Sequence, residues 1–158
     1  MHYIYGVIIL ASLVIDQITK LWAVKALKDF ASISVLGSFL SFKYVENRGA
    51  AFGILQDQRI FFIISTVLLI GFIVAVILFN KKITKCSRYA LVLILSGAIG
   101  NFIDRFRLGY VVDFIDFKFG SFYDFPVFNV ADCCVVVGTI LLLLLIIFNK
   151  FEKSKIDG

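Results

Sequence analysis

Four stretches of this 158-residue chain are almost unbroken runs of apolar residues, over about 4–24, 60–79, 89–106 and 127–148. Each is close to the roughly 20 residues a helix needs to cross about 30 Å of hydrocarbon, so the pattern predicts four transmembrane helices. The first is not read as a cleaved leader, because it lacks a basic start and a small-residue cleavage site and carries Asp16 and Lys20. The fourth starts just after Pro126, a residue suited to a helix start. Between the first two runs the period changes. Leu40, Phe42 and Tyr44 alternate with Ser41 and Lys43, which predicts a strand with one apolar face. A partner strand is expected around 33–36, so a small β element over about 31–56 should lie on the outer membrane surface. The segment 113–124 mixes Phe114, Ile115, Phe117, Phe119 and Phe122 with acids, and predicts a short interfacial segment, re-entrant or a surface helix. The fold class expected is an all-α integral membrane protein of four spans plus this β element, forming one domain over 1–158.

Composition supports the membrane reading. Hydrophobic residues make up 61% of the chain and charged residues 17%, with a mean hydropathy of +0.98; soluble domains are roughly half apolar. The net charge of +5 does not point to nucleic acid, since the basic residues are spread along the chain. Their densest run is Lys81, Lys82, Lys85 and Arg88, between two spans, and the tail carries Lys150, Lys153 and Lys155. By the positive-inside rule both are cytoplasmic, which puts both termini inside. On that topology Asp16 lies about 18 Å up the first span. Asp104 and Asp132 fall at the outer ends of the third and fourth, and Asp113 in the outer link. The charges thus gather in the outer half of the bilayer.

An ionisable residue in a span is costly and by default marks a functional site. Spacing sharpens the case. Asn101, Asp104 and Arg105 share one helix face, as do Asn129 with Asp132 and Asp16 with Lys20. Gly97 and Gly100 suit close helix approach there. Asp104 with Arg105 suggests an ion pair closing the third span, and Asp16 with Lys20 a structural or substrate-contacting pair. Asp116 and Asp124 read as solvated loop acids. Cys86, Cys133 and Cys134 have no disulfide or metal spacing and read as small buried hydrophobes.

Exclusion narrows the chemistry. The only histidine, His2, is at the cytoplasmic tip, which removes Ser–His and Cys–His catalysis at the outer side. There is no His-Glu-x-x-His motif and no Gly-rich phosphate loop. Paired carboxylates remain. Two that share a site hold one proton between them, so one acts as base on a water while the other donates, with no metal or cofactor. Asp113 and Asp132 suit those roles best, since they flank one link between spans.

At these residues the sequence resembles the bacterial lipoprotein signal peptidase (signal peptidase II) family over nearly its whole length. The matching blocks are 16–20 (Asp-Gln-Ile-Thr-Lys), 46–52 (Glu-Asn-Arg-Gly-Ala-Ala-Phe), 100–105 (Gly-Asn-Phe-Ile-Asp-Arg), 109–114 (Gly-Tyr-Val-Val-Asp-Phe) and 128–132 (Phe-Asn-Val-Ala-Asp). Ser96-Gly97 stands where the family often has two glycines. Cys133 and Cys134 replace other small residues after the second aspartate. The resemblance implies an intramembrane aspartic endopeptidase that removes signal peptides from diacylglyceryl-modified prolipoproteins, cutting just before the lipidated cysteine. It implies Asp113 and Asp132 as the catalytic pair. Asn101, Asp104, Arg105 and Asn129 would support them, Asn47 would contact substrate, and Asp16 and Lys20 would line or brace the site. It implies prolipoproteins, membrane lipids and globomycin-type inhibitors as partners. The expected state is a monomer in the bacterial inner membrane, with the active site toward the outer face.

The reading from another class is a small proton-coupled transporter, which would also carry intramembrane Asp and Lys. It would need polar residues through both halves of the bilayer, whereas the inner halves are nearly uncharged and no inverted repeat is visible.

Overall fold

The structure, a computed structural model, describes residues 2–30, 32–49, 55–119 and 123–153. These form four helices, α1 (His2–Leu27), α2 (Arg59–Phe79), α3 (Lys85–Arg107) and α4 (Val130–Ile147). They also form four strands, β1 (Ile33–Leu36), β2 (Leu40–Asn47), β3 (Val111–Phe119) and β4 (Tyr123–Asp124). All four helices are long and apolar enough to span a membrane. Their outward faces carry large exposed side chains such as Ile60, Leu68, Phe72 and Val136, an arrangement suited to hydrocarbon and not to water.

Helix α3 is the centre of the bundle and packs against α1, α2 and α4. Small residues let it do so. A Cβ at Gly97 would collide with the Ala131 carbonyl and stand 2.7 Å from Val135 Cγ2, and one at Gly100 would stand 2.8 Å from Asp16 Oδ2. Both contacts are of the kind the sequence pattern predicts. Gly138 plays the same part from α4, against the Ala90 carbonyl at 2.7 Å. Each end of the α2–α3 pair is closed by an arginine. Arg59 donates to the carbonyls of Arg105 and Phe106 at 2.9 and 2.7 Å, and Arg88 donates to those of Ile77 and Asn80. Cations suit helix C-termini, where carbonyls lack intrahelical partners.

The strands make one antiparallel sheet in the order β1-β2-β3-β4. The predicted strand at 40–44 and its partner at 33–36 are both present, paired with Ile33 opposite Phe42. One face rests on the second half of α1, where Ala23 and Leu27 meet Val112 and Phe114. Trp22 lies edge-on to Phe42 at 5.3 Å between ring centroids.

Two boundaries differ from expectation. The segment from Asp113 is a strand, not an interfacial helix, and pairs along β2 with Val45 opposite Asp113. Its start is buried and packs against α1 and α3. That gives it an apolar content easily mistaken for membrane contact. The fourth helix starts at Val130, not after Pro126. Phe128 instead exchanges backbone hydrogen bonds with Ile115, at 2.8 and 3.0 Å, and the chain turns helical only at Asn129. Asp116 is buried, accepts from Ser41 Oγ at 3.1 Å and faces Lys118, so it is a sheet residue, not a solvated acid. Cys86 is exposed on the first turn of α3, while Cys133 and Cys134 are half-buried.

Candidate active site

The site is built where α4 begins. Asn129 is the N-cap of α4. Its Oδ1 accepts from the Asp132 backbone N–H at 2.9 Å, and Asp132 Oδ2 accepts from the Asn129 backbone N–H at 3.1 Å. This reciprocal pair is a capping box in which Asp takes the place of the usual Glu or Gln. The sequence spacing suggests a polar stripe along a helix, but the two residues lie at the end of one. The cap fixes Asp132 in the first turn of α4 and leaves the Asn129 amide N–H₂ free to point elsewhere.

That amide points at Asp113. Asn129 Nδ2 donates to Asp113 Oδ1 at 2.6 Å, and Asn47 Nδ2 on β2 donates to Asp113 Oδ2 at 2.9 Å. Asn47 is held in turn by its Oδ1, which accepts from the Gly49 backbone at 3.0 Å. Opposite, Asn101 Nδ2 on α3 donates to Asp132 Oδ1 at 2.7 Å. Asn101 Oδ1 accepts from Asn129 Nδ2 at 3.2 Å and from Lys20 Nζ at 3.0 Å. Three asparagines therefore hold two carboxylates from three elements.

A buried ionic group braces this layer. Lys20 Nζ lies 3.0 Å from Asp16 and 2.9 Å from Asp104, with all three side chains at most 5% exposed. Asp16 Oδ1 accepts from the Ala131 backbone at 2.9 Å, and Asp104 Oδ2 from the Val112 backbone at 3.1 Å. These bonds tie α1 and α3 to the residues beside each central aspartate. Buried charge at this cost persists only when every partner is satisfied. Asp104 pairs with Lys20, and not with its sequence neighbour Arg105. Arg105 donates to the Gly49 carbonyl at 3.1 Å and stacks its guanidinium on Phe62 at 4.8 Å.

The carboxylates open into a cavity of about 420 Å³ lined by Asn47, Asn101, Arg105, Asp113 and Asp132 together with Val111, 125–128, Cys133 and 135–137. Polar groups collect at one end, and apolar side chains form the rest. Asp113 is pushed up to about 7, first by burial and then by the charge of Asp132, against the pull of the Asn47 and Asn129 amides. Acids coupled by such repulsion titrate as a pair and not one by one.

All nine residues singled out in the sequence meet in this one region. Gln17 was not among them. Its Nε2 donates to both Asp16 and Asp104 at 3.1 Å, and its amide inside an apolar run is the signal that could have marked it. Cys133, read as a buried hydrophobe, lines the cavity beside Asp132. Among the described residues, no group of three His, Cys, Asp or Glu is placed to hold a metal ion.

Fold and site together define a multi-pass membrane protein with a carboxylate-centred cavity. The family model described as Signal peptidase (SPase) II matches residues 8–148. A lipoprotein signal peptidase of Clostridium tetani is 48% identical over 95% of this chain and 97% of its own. One from Caldanaerobacter subterraneus subsp. tengcongensis is 50% identical over 91% of this chain and 97% of its own. A bacterial membrane enzyme solved by the in meso method superposes with a TM-score of 0.82 at 35% identity, over 95% of this chain and 93% of that one. The chain belongs to the signal peptidase II family and is a lipoprotein signal peptidase in function, which leaves no ground for the transporter reading.

Proposed function

We propose that this protein is an intramembrane aspartic endopeptidase that cuts diacylglyceryl-modified prolipoproteins just before the lipidated cysteine, with Asp113 and Asp132 as its catalytic pair. The observation that carries the reading is the joint suspension of these two carboxylates from Asn47, Asn101 and Asn129 at the mouth of one cavity. With one proton between them, the ionised carboxylate draws a proton from water as that water attacks the scissile carbonyl. The protonated one donates to the carbonyl oxygen; as the C–N bond breaks, the carboxyl that took the water proton passes it to the leaving nitrogen, and the re-forming carbonyl returns the other proton to its donor, so the pair again holds one. Asn101 and Asn129 set the distance between the pair. The Asp16–Lys20–Asp104 group holds the layer rigid, and Arg105 fixes the Asn47–Gly49 segment over it. The apolar part of the cavity, with Val135 and Val136 on α4, suits lipid and peptide side chains, and the polar end suits the scissile bond.

Charge asymmetry supports a placement in the bacterial inner membrane with both termini cytoplasmic and the site toward the outer face, where a lipidated precursor presents its cleavage point. The protein works as a monomer without a cofactor, and globomycin-type peptides would compete for the same cavity. The experiment is cleavage of a diacylglyceryl-modified precursor peptide by purified protein, with product masses read directly. Products that break before the lipidated cysteine, and none from the unmodified peptide, are expected. Cleavage elsewhere, or equal cleavage of both peptides, would remove the proposed specificity.

A further inference from the structure

A second cavity lies at the opposite end of the bundle from the carboxylates, where α1 begins, α2 ends and α3 begins. It measures about 320 Å³ and is lined by the cations Lys81, Lys85, Arg88 and Lys153 and by Tyr5, Ile77, Leu78 and Ile83. Its walls are fixed. The segment after α4 is bonded to the α2–α3 turn through Lys153 N to Lys82 O at 2.8 Å, Thr84 N to Phe151 O at 3.0 Å and Ser87 Oγ to Phe151 O at 2.8 Å. Arg88 is committed to the end of α2. The three lysines are exposed, and among the described residues none forms an ion pair. The N-terminus of the 23-residue helix α3 adds its positive dipole end to the same cavity. The apolar wall continues through Leu78 onto the exposed apolar face of α2 at Phe79.

We propose that this cavity binds the phosphate of an anionic membrane phospholipid, with the acyl chains running along the outer face of α2. A general excess of positive charge would attract anionic lipid without a fixed location. Here the cations surround a shaped cavity, and an apolar wall leads from it to the lipid-facing surface. A phosphodiester headgroup therefore fits better than a free phosphate ion, which has no use for that wall. The site is remote from the proposed catalytic pair and independent of it.

The test is a native mass spectrometry titration of the full chain in non-ionic detergent with dioleoylphosphatidylglycerol, dioleoylphosphatidylcholine or inorganic phosphate. One phosphatidylglycerol should be retained at least about tenfold better than phosphatidylcholine. The triple variant K81Q/K85Q/K153Q should erase that preference, and K81R/K85R/K153R should keep it. The pair K82Q/K150Q removes charge from the same surface without touching the cavity lining, and should keep it as well. Equal retention of the two lipids would overturn the proposal. So would an equal loss in the K82Q/K150Q control, or displacement of the lipid by an equal concentration of inorganic phosphate. Should the glutamine triple fail to fold, Lys153→Gln alone, in the segment after α4, should still weaken retention severalfold, and an unchanged affinity there would count against the site.

Discussion

Asn129 donates to Asp113 at 2.6 Å with the same side chain whose oxygen caps the helix that carries Asp132. One residue thereby couples the start of α4 to β3, and sets how the two carboxylates face each other. The two duties use different atoms and can be separated. Asn129→Ser keeps an N-cap oxygen but leaves the buried partners of the amide without their donor, so stability should fall by about 1–3 kcal/mol with the helix still capped, and activity of the folded variant by about 10–100-fold. Asn129→Ala should lose both, with a further cost of about 1–2 kcal/mol. Thermal unfolding beside peptide cleavage below the melting temperature checks this, and full activity of the folded serine variant would show that the amide has no separate role.

Lys20 neutralises two buried carboxylates at 3.0 and 2.9 Å. Lys20→Met should leave Asp16 and Asp104 repelling each other in a dry site, and destabilise the fold by about 3–5 kcal/mol. The checking measurement is the melting temperature in detergent. A variant that melts like the wild type would mean that the triad contributes little to the bundle.

Helix approach can be tested with two glycines of opposite surroundings. A Cβ at Gly97 would strike the Ala131 carbonyl, while one at Gly71 meets nothing within 4 Å. Gly97→Ala should cost about 1–3 kcal/mol and displace α4, with its capped Asp132, from α3. Gly71→Ala should be neutral or stabilise by up to about 1 kcal/mol. Equal melting temperatures would contradict the packing described.

The raised Asp113 carboxyl has a signed consequence. In the folded protein it titrates at about 7 in place of 3.8. The relative stability it confers is therefore complete below about pH 4 and declines as pH rises toward 7, because the unfolded chain ionises first. Above about 7 the pair loses its shared proton and should lose activity. A profile of kcat/KM should fall on its alkaline side with an apparent pKa near 7 that belongs to the pair. Activity undiminished to about pH 9 would mean that the shared proton is not used.

Much of this architecture was legible in the sequence, and the failures have physical reasons. Helices α1 to α3 follow from run length alone, and β2 with its partner from the alternation of Leu40, Phe42 and Tyr44. Strand β3 was hidden because buried acids occupy both of its faces, Asp113 toward the site and Asp116 on the opposite face beside Ser41, so no clean period of two survives. The start of α4 was misplaced because Pro126 looked like a helix start, whereas the capping box of Asn129 and Asp132 sets it. Asp16, Lys20, Asp104, Arg105 and Asp132 could be picked out because charge in an apolar run is rare, Asn101 and Asn129 by their spacing from them, Asp113 by its place in the link, and Asn47 only through the family resemblance. Their pairing could not, since Lys20 meets Asp104 across helices and Asp104 turns away from Arg105. Residues 50–52 of the matching block at 46–52, and residues 31 and 50–54 of the predicted β element, lie outside the described residues.

The central claim is that Asp113 and Asp132 act as one unit. The most direct measurement is single-turnover cleavage of a diacylglyceryl-modified peptide by wild type, D113N, D132N and the double variant, each shown by its melting curve to be folded. Each single variant should lose at least about 10³-fold in rate, and the double variant should lose little more than either. Substantial cleavage by either folded single variant would contradict the account.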